Sequence, residues 1–150
     1  MSNFPSRIFL DTNVYILGVL DLDSIEGRVL KRLGWQEKSD VQVILSQELI
    51  VQILRVGKRI QTKDWASDLV QRVWQRFQID FVFVEDLDIR VIESAGVIPR
   101  EDAGIYLTAK QGNVQCFVSS NYKLIRTLVE QTQEFECLTP EEFLQKYGIP

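Results

Sequence analysis

Apolar runs of about five residues alternate along this chain with segments whose apolar positions recur every three to four residues. The runs predict strands at residues 7–11, 41–45, 80–85, 115–119 and 134–138. The segments between them predict helices. Residues 21–34 put Ile25, Val29, Leu30 and Leu33 on one side, and residues 46–59 follow the second strand directly. Residues 64–77 carry Trp65, Leu69, Val70, Val73, Trp74 and Phe77 on one broad stripe, with Asp64 as a cap. That stripe is expected to face the core, a partner surface being the alternative. Residues 101–110 and 122–130 flank the fourth strand. Thr139-Pro140-Glu141-Glu142 has the pattern of a capping box with proline at the first helical position.

Strands separated by helices imply a parallel sheet covered by helices on both faces. The runs at 41–45 and 115–119 suit strands buried on both sides. A length of 150 residues suits one domain, 1–150, with no repeat, low-complexity stretch or linker.

Charge and composition remove several function classes. A net charge of −4 provides no basic field to draw in nucleic acid from a distance. An RNA substrate would need local basic residues or a metal. The chain has no histidine, which excludes Ser-His-Asp and Cys-His catalysis and the commonest zinc sites. Cys116 and Cys137 sit in apolar, strand-like runs and read as reduced core thiols of a cytosolic protein. Residues 8–20 are interrupted by Asp11 and Asn13 and are too short to span a bilayer, so no membrane partner is expected.

The stretch RIFLDTNVYIL ends an apolar run on Asp11 and then turns apolar again. A buried carboxylate without a partner is costly. In open parallel sheets, however, ligands sit just beyond the carboxyl ends of the strands. Asp11, Ser46 and Ser119-Ser120-Asn121 all fall at such ends. Asp11 alone reads equally as a helix cap. Glu101 and Asp102, in the first turn of a helix, favour its macrodipole. They could also provide a second carboxylate aimed at the strand ends, and spacing does not choose between the two.

Two carboxylates with oxygen-rich neighbours suit a hard cation, Mg²⁺ or Mn²⁺. No G-x-x-x-x-G-K-S/T or G-x-G-x-x-G motif competes. An Asp-x-Asp phosphatase fails because position 13 is Asn, and an acid-pocket receiver fails because the first strand ends on one acid.

Three segments in order, IFLDTNVYI, LSQELIVQIL and REDAGIYLTAKQGNVQCFVSSNYKLI, resemble the PIN-domain family of metal-dependent nucleases. The resemblance implies a three-layer α/β/α sandwich around a parallel sheet of four to five strands. It implies a site of three or four acids that binds Mg²⁺ or Mn²⁺ and activates water to cleave a phosphodiester, usually in RNA. Asp11 matches the family's first acid and Asp102 the acid after the variable segment. The helix acid falls about six residues after the small residue ending the second strand. Counted from Ser46, that position is Gln52. The late acid follows a strand-end Thr/Ser pair, and here Ser119-Ser120 is followed by Asn121.

Asp11, Asp102, Gln52 and Asn121 are therefore the expected catalytic set. The two amides bring oxygen but no charge, so a weakly bound metal is expected. Glu48, one turn before Gln52 on the same face, and Glu101 are further candidate metal ligands. Arg55, Lys58 and Arg59 are candidates to hold RNA phosphate, a solvated helix face being the alternative. The resemblance also implies a cytoplasmic protein that is the toxin of a toxin–antitoxin pair, with an antitoxin partner; a homodimer is a further candidate assembly. The competing reading is a degenerate PIN domain that binds RNA or protein without cutting.

Overall fold

A computed structural model describes residues 4–148, in which five strands form one parallel sheet. The strands are β1 (Arg7–Leu10), β2 (Gln42–Leu45), β3 (Gln78–Phe81), β4 (Cys116–Val118) and β5 (Glu136–Leu138), in the spatial order β3-β2-β1-β4-β5. Ile8 lies opposite both Val43 and Cys116, so β1 is central and buried on both faces.

The helices are α1 (Thr12–Leu20), α2 (Ile25–Arg32), α3 (Gln47–Ile60), α4 (Lys63–Arg76), α5 (Asp86–Ala95), α6 (Ala103–Gln111), α7 (Tyr122–Gln131) and α8 (Pro140–Tyr147). A 3₁₀ turn, Arg100–Asp102, precedes α6. The sheet grows one way through β1-β2-β3 and the other way through β3-β4-β5, so right-handed crossovers put α1 to α4 on one face and α5 to α7 on the other. This is the three-layer arrangement expected from the alternation of elements. The order reverses between β1 and β4, where an open α/β sheet leaves a crevice.

Polar residues mark where strands hand over to helices. Ser46 caps α3, Thr139 caps α8 in a full capping box with Glu142, and Asn121 caps α7. Each accepts a backbone N–H that the first turn leaves unpaired. Among the described residues, the fully or nearly buried polar side chains are Asp11, Thr12, Ser46, Thr108, Ser119 and Thr139. All but Thr108 lie at a strand's carboxyl end, and Thr108 shares a 2.7 Å hydrogen bond with Ser46.

Several expectations need correction. The third strand is Gln78–Phe81 rather than 80–85, because its ladder with β2 pairs Gln42 with Gln78 and Leu45 with Phe81. The helix over 64–77 is capped by Thr62, whose side chain accepts from the Trp65 N–H, and not by Asp64. Its stripe is only partly core. Leu69, Val73 and Phe77 are buried, whereas Trp74 is 45% exposed and stacks on Phe81 of the edge strand β3. The segment expected at 21–34 is helical only over Ile25–Arg32.

Two helices escaped the periodicity. α1 is apolar on nearly every side and carries no helical period. α5 buries none of its residues, and it ends at Gly96, whose φ of 71° favours glycine. Cys116 and Cys137 are buried and unpaired, as expected, and burial pushes the Cys137 thiol up to about 12. Among the described residues no helix is long and apolar enough to cross a membrane.

Candidate functional site

Asp11 is both things its sequence allowed. It is the N-cap of α1, accepting from the Thr12 N–H at 2.8 Å, and it stands at the crevice where the sheet reverses order. Its backbone extends the ladder with β4, the Asp11 N–H reaching the Val118 carbonyl at 2.9 Å. The Ser119 hydroxyl, completely buried, donates to Asp11 Oδ2 at 2.7 Å, and the Asn121 N–H donates to Ser119 Oγ at 3.0 Å. A chain of hydrogen bonds thus runs from the start of α7 to the first acid. Burial raises the Asp11 pKa, and the bonds from Ser119 and Thr12 oppose that shift.

Asp102 arrives from the other side of the chain, at the end of the 3₁₀ turn that opens α6. Its carboxylate makes no capping bond. Its pKa is pushed up to about 6, first by burial, then by the negative charges of Asp11 and Glu101, while Lys123 pulls it down. The two acids are therefore close enough to feel one another. Asp102 is thus a second carboxylate within electrostatic reach of the first, and its place in the first turn also suits the macrodipole.

Gln52 lies on α3, and its side-chain oxygen accepts a hydrogen bond from the Thr12 hydroxyl. Thr12 directly follows Asp11, so Gln52 is held at the same crevice. Asn121 sits there too, but its Oδ1 is occupied in capping α7, accepting from the Leu124 N–H at 3.1 Å.

The expected further acids do not complete a ligand set. Among the described residues, no three of His, Cys, Asp and Glu gather closely enough to hold an ion. Glu48 instead packs beside α6: a Cβ built on Gly104 would lie 3.0 Å from Glu48 Cγ. Glu101 is exposed, and its charge adds to the raised pKa of Asp102. Glu48 and Glu101 both line an open groove of about 320 Å³ together with Gln52 and Arg55. Lys58 and Arg59 are exposed and lie outside that lining.

The remaining donors are two carboxylates, amide oxygens and hydroxyls, an oxygen-only set that suits a hard divalent cation. Asp11 and Asp102 could hold it, and their two charges would balance one such ion.

Sequence reasoning missed Thr12 and Lys123. Thr12 carries no local signal, because its partner Gln52 is 40 positions away. Lys123 did carry one: a cation in the first turn of a helix opposes the macrodipole and calls for a compensating role. Here its charge lowers the pKa of Asp102.

Two solved structures share this architecture. VapBC2 from Rickettsia felis, crystallised bound to a DNA fragment from their promoter, superposes with a TM-score of 0.59 at 13% identity, covering 89% of this chain and 98% of that one. VapBC-1 from nontypeable Haemophilus influenzae gives a TM-score of 0.59 at 12% identity, covering 90% and 98%. At such identities the likeness is one of fold. No protein-family model matches the sequence, and no curated protein is significantly similar to it.

Proposed function

The chain has the fold of the PIN domains, and from that premise we propose that residues 1–150 are one PIN-type domain acting as a divalent-metal-dependent ribonuclease. The observation that carries this reading is Asp11, buried at the reversal point of the sheet with the Ser119 hydroxyl on its carboxylate and Gln52 bonded to the adjacent Thr12, and its charge contributes to the raised pKa of Asp102.

Domains of this fold in toxin–antitoxin pairs generally use divalent metals. A bound Mg²⁺ or Mn²⁺ supplies Lewis acidity toward the phosphate and lowers the pKa of water. The chain's own residues do the rest. Ser119 and the Thr12 N–H fix the Asp11 carboxylate from both oxygens, so its remaining lone pairs point in a set direction. Asp102, without a capping bond, is free to accept from water or to face an ion. Thr12 orients Gln52, whose amide can position substrate or water. Lys123 offers a cation to the phosphate beside Asp102.

We read the protein as the cytoplasmic toxin half of a pair. The exposed side chains of Phe83, Leu87 and Val91 support an antitoxin or a second copy as partner.

A second reading, a non-cutting PIN module that binds RNA or protein, is favoured by the absence of a third acid from the cluster among the described residues. Incubation of the purified chain with mixed RNA in Mn²⁺ separates the two. The expected result is metal-dependent cleavage that falls about a hundredfold or more in both Asp11→Asn and Asp102→Asn. RNA bound but left intact in Mn²⁺ would replace the nuclease by the binding module.

A further inference from the structure

The groove beside the acid pair has features that cleavage chemistry does not use. It runs between α3, α5 and the start of α6 and meets the site at Gln52 and Glu101. Val51, Ile89 and Ile105 give it apolar surface. Its volume of about 320 Å³ is at the small end of ligand sites, which run from roughly 300 to 1,000 Å³. Arg100 is already paired with Glu93 at 3.2 Å. Arg55 and Glu48 have no ion pair or side-chain hydrogen bond among the described residues. Glu101 also lines the groove without an ion pair among the described residues, but it is exposed. One unpaired cation and two unpaired carboxylates, of which Glu48 is the half-buried one, therefore share a small, partly apolar groove next to the proposed scissile phosphate.

The position of Glu48 is constrained. It is half-buried in the first turn of α3, and its stem lies against Gly104, where even a methyl group would sit 3.0 Å from Cγ and 3.3 Å from Cβ. The close approach of α3 and α6 depends on that glycine.

We propose that this groove is a nucleobase subsite in which Glu48 selects guanine beside the phosphate held at the Asp11–Asp102 crevice. The assignment rests on the RNA reading above. The apolar side chains can take a base's flat face, as sequence-tolerant stacking sites do. A carboxylate only accepts hydrogen bonds, and it can accept two in parallel. Guanine offers two adjacent donors, N1–H and the 2-amino group. Adenine and cytosine place a donor next to an acceptor, and uracil places its one donor between two carbonyls, so each sets a lone pair against the carboxylate. Arg55 is left to take the nucleotide's phosphate.

The test is equilibrium binding of fluorescein-labelled hexaribonucleotides to the whole chain in EDTA, so that the readout does not depend on cleavage. The probes are uridine hexamers with one central guanosine or one central inosine, which lacks only the 2-amino group. Guanosine should bind about tenfold more tightly than inosine, the scale of one bidentate contact. Glu48→Gln should bring the two probes within about twofold of one another. Gly104→Ala, which displaces Glu48 without removing its charge, should also shrink the preference. Equal affinities in wild type, a preference that survives Glu48→Gln, or no binding of either probe overturns the subsite. Guanosine-selective binding without cleavage in Mn²⁺ would keep the subsite and remove the nuclease. Cleavage without guanosine selectivity would do the reverse.

Discussion

The Ser119 hydroxyl donates to Asp11 Oδ2 at 2.7 Å, across the strand pair where the sheet reverses its order. Ser119 is wholly buried and Asp11 nearly so. This bond therefore works in a low-dielectric setting, where a charged acceptor gains most from a donor and loses most without one.

Ser119→Ala should accordingly destabilise the protein by about 1.5–3 kcal/mol at neutral pH, the scale of a hydrogen bond to a charged group. The Ser119 bond lowers the Asp11 pKa against the effect of burial, so its loss raises that pKa further. The cost should shrink in acid as Asp11 takes up a proton and the charged form is lost. Urea unfolding at pH 7 and pH 4 checks this; a cost that is the same at both would mean that the bond does not stabilise the charged form.

Asp102 predicts a pH dependence of opposite sense to a salt-bridged acid. Its folded pKa is about 6, raised from 3.8. Between those values the folded state binds more protons than the unfolded one, so stability falls as pH rises from about 4 to about 7. The full shift is discounted because the group is only half-buried, leaving about 1–2 kcal/mol. Asp102→Asn should flatten the profile across that window. Unfolding midpoints measured at half-unit steps, with parallel curves for wild type and variant, would rule out Asp102 as the source.

A divalent ion should relieve the same repulsion. At about ten times its dissociation constant, Mn²⁺ should stabilise the chain by about 1.4 kcal/mol, a rise of roughly 3–6 °C in Tm. Gln52→Glu with Asn121→Asp should tighten binding roughly ten- to a hundredfold by adding charge to the site. The structure tolerates both changes: Glu keeps an acceptor for the Thr12 hydroxyl, and Asp caps α7 as Asn does. Calorimetric titration of Mn²⁺ into wild type, Asp11→Asn and the double variant measures this. Equal affinities in all three would place any metal elsewhere.

Tyr15 contributes in the other direction. Its ring is fully buried in α1, and its hydroxyl has no hydrogen-bond partner among the described residues. A buried unpaired hydroxyl costs about 1–3 kcal/mol. Tyr15→Phe should raise the Tm by several degrees and leave RNA binding and cleavage unchanged. A lower Tm would show that the hydroxyl is satisfied in solution.

The sequence alone was enough for the alternation of elements, the parallel sheet and the polar residues at the strand ends. These are local properties: an apolar run, a helical period, or a side chain that can reach its own helix's first N–H groups. The capping box at Thr139 and Glu142 is the clearest case, since every atom it needs lies within four residues. Where local pattern and pairing disagree, pairing decides. The run 80–85 looks like a strand, yet β3 is Gln78–Phe81, because its ladder with β2 sets the register and leaves Phe83 exposed. α1 gave no period because it is apolar on nearly every side.

The site depended on tertiary structure throughout. Asp11 and Ser119 are 108 positions apart, and Thr12 and Gln52 are 40 apart. No spacing rule joins them; the order β3-β2-β1-β4-β5 does, by bringing the ends of β1 and β4 together at the reversal point. The same packing sets the stem of Glu48 against Gly104, and among the described residues no cluster of three acids forms. A residue's chemistry is written in the sequence, but what it faces depends on contacts between distant segments, and only the folded chain supplies those.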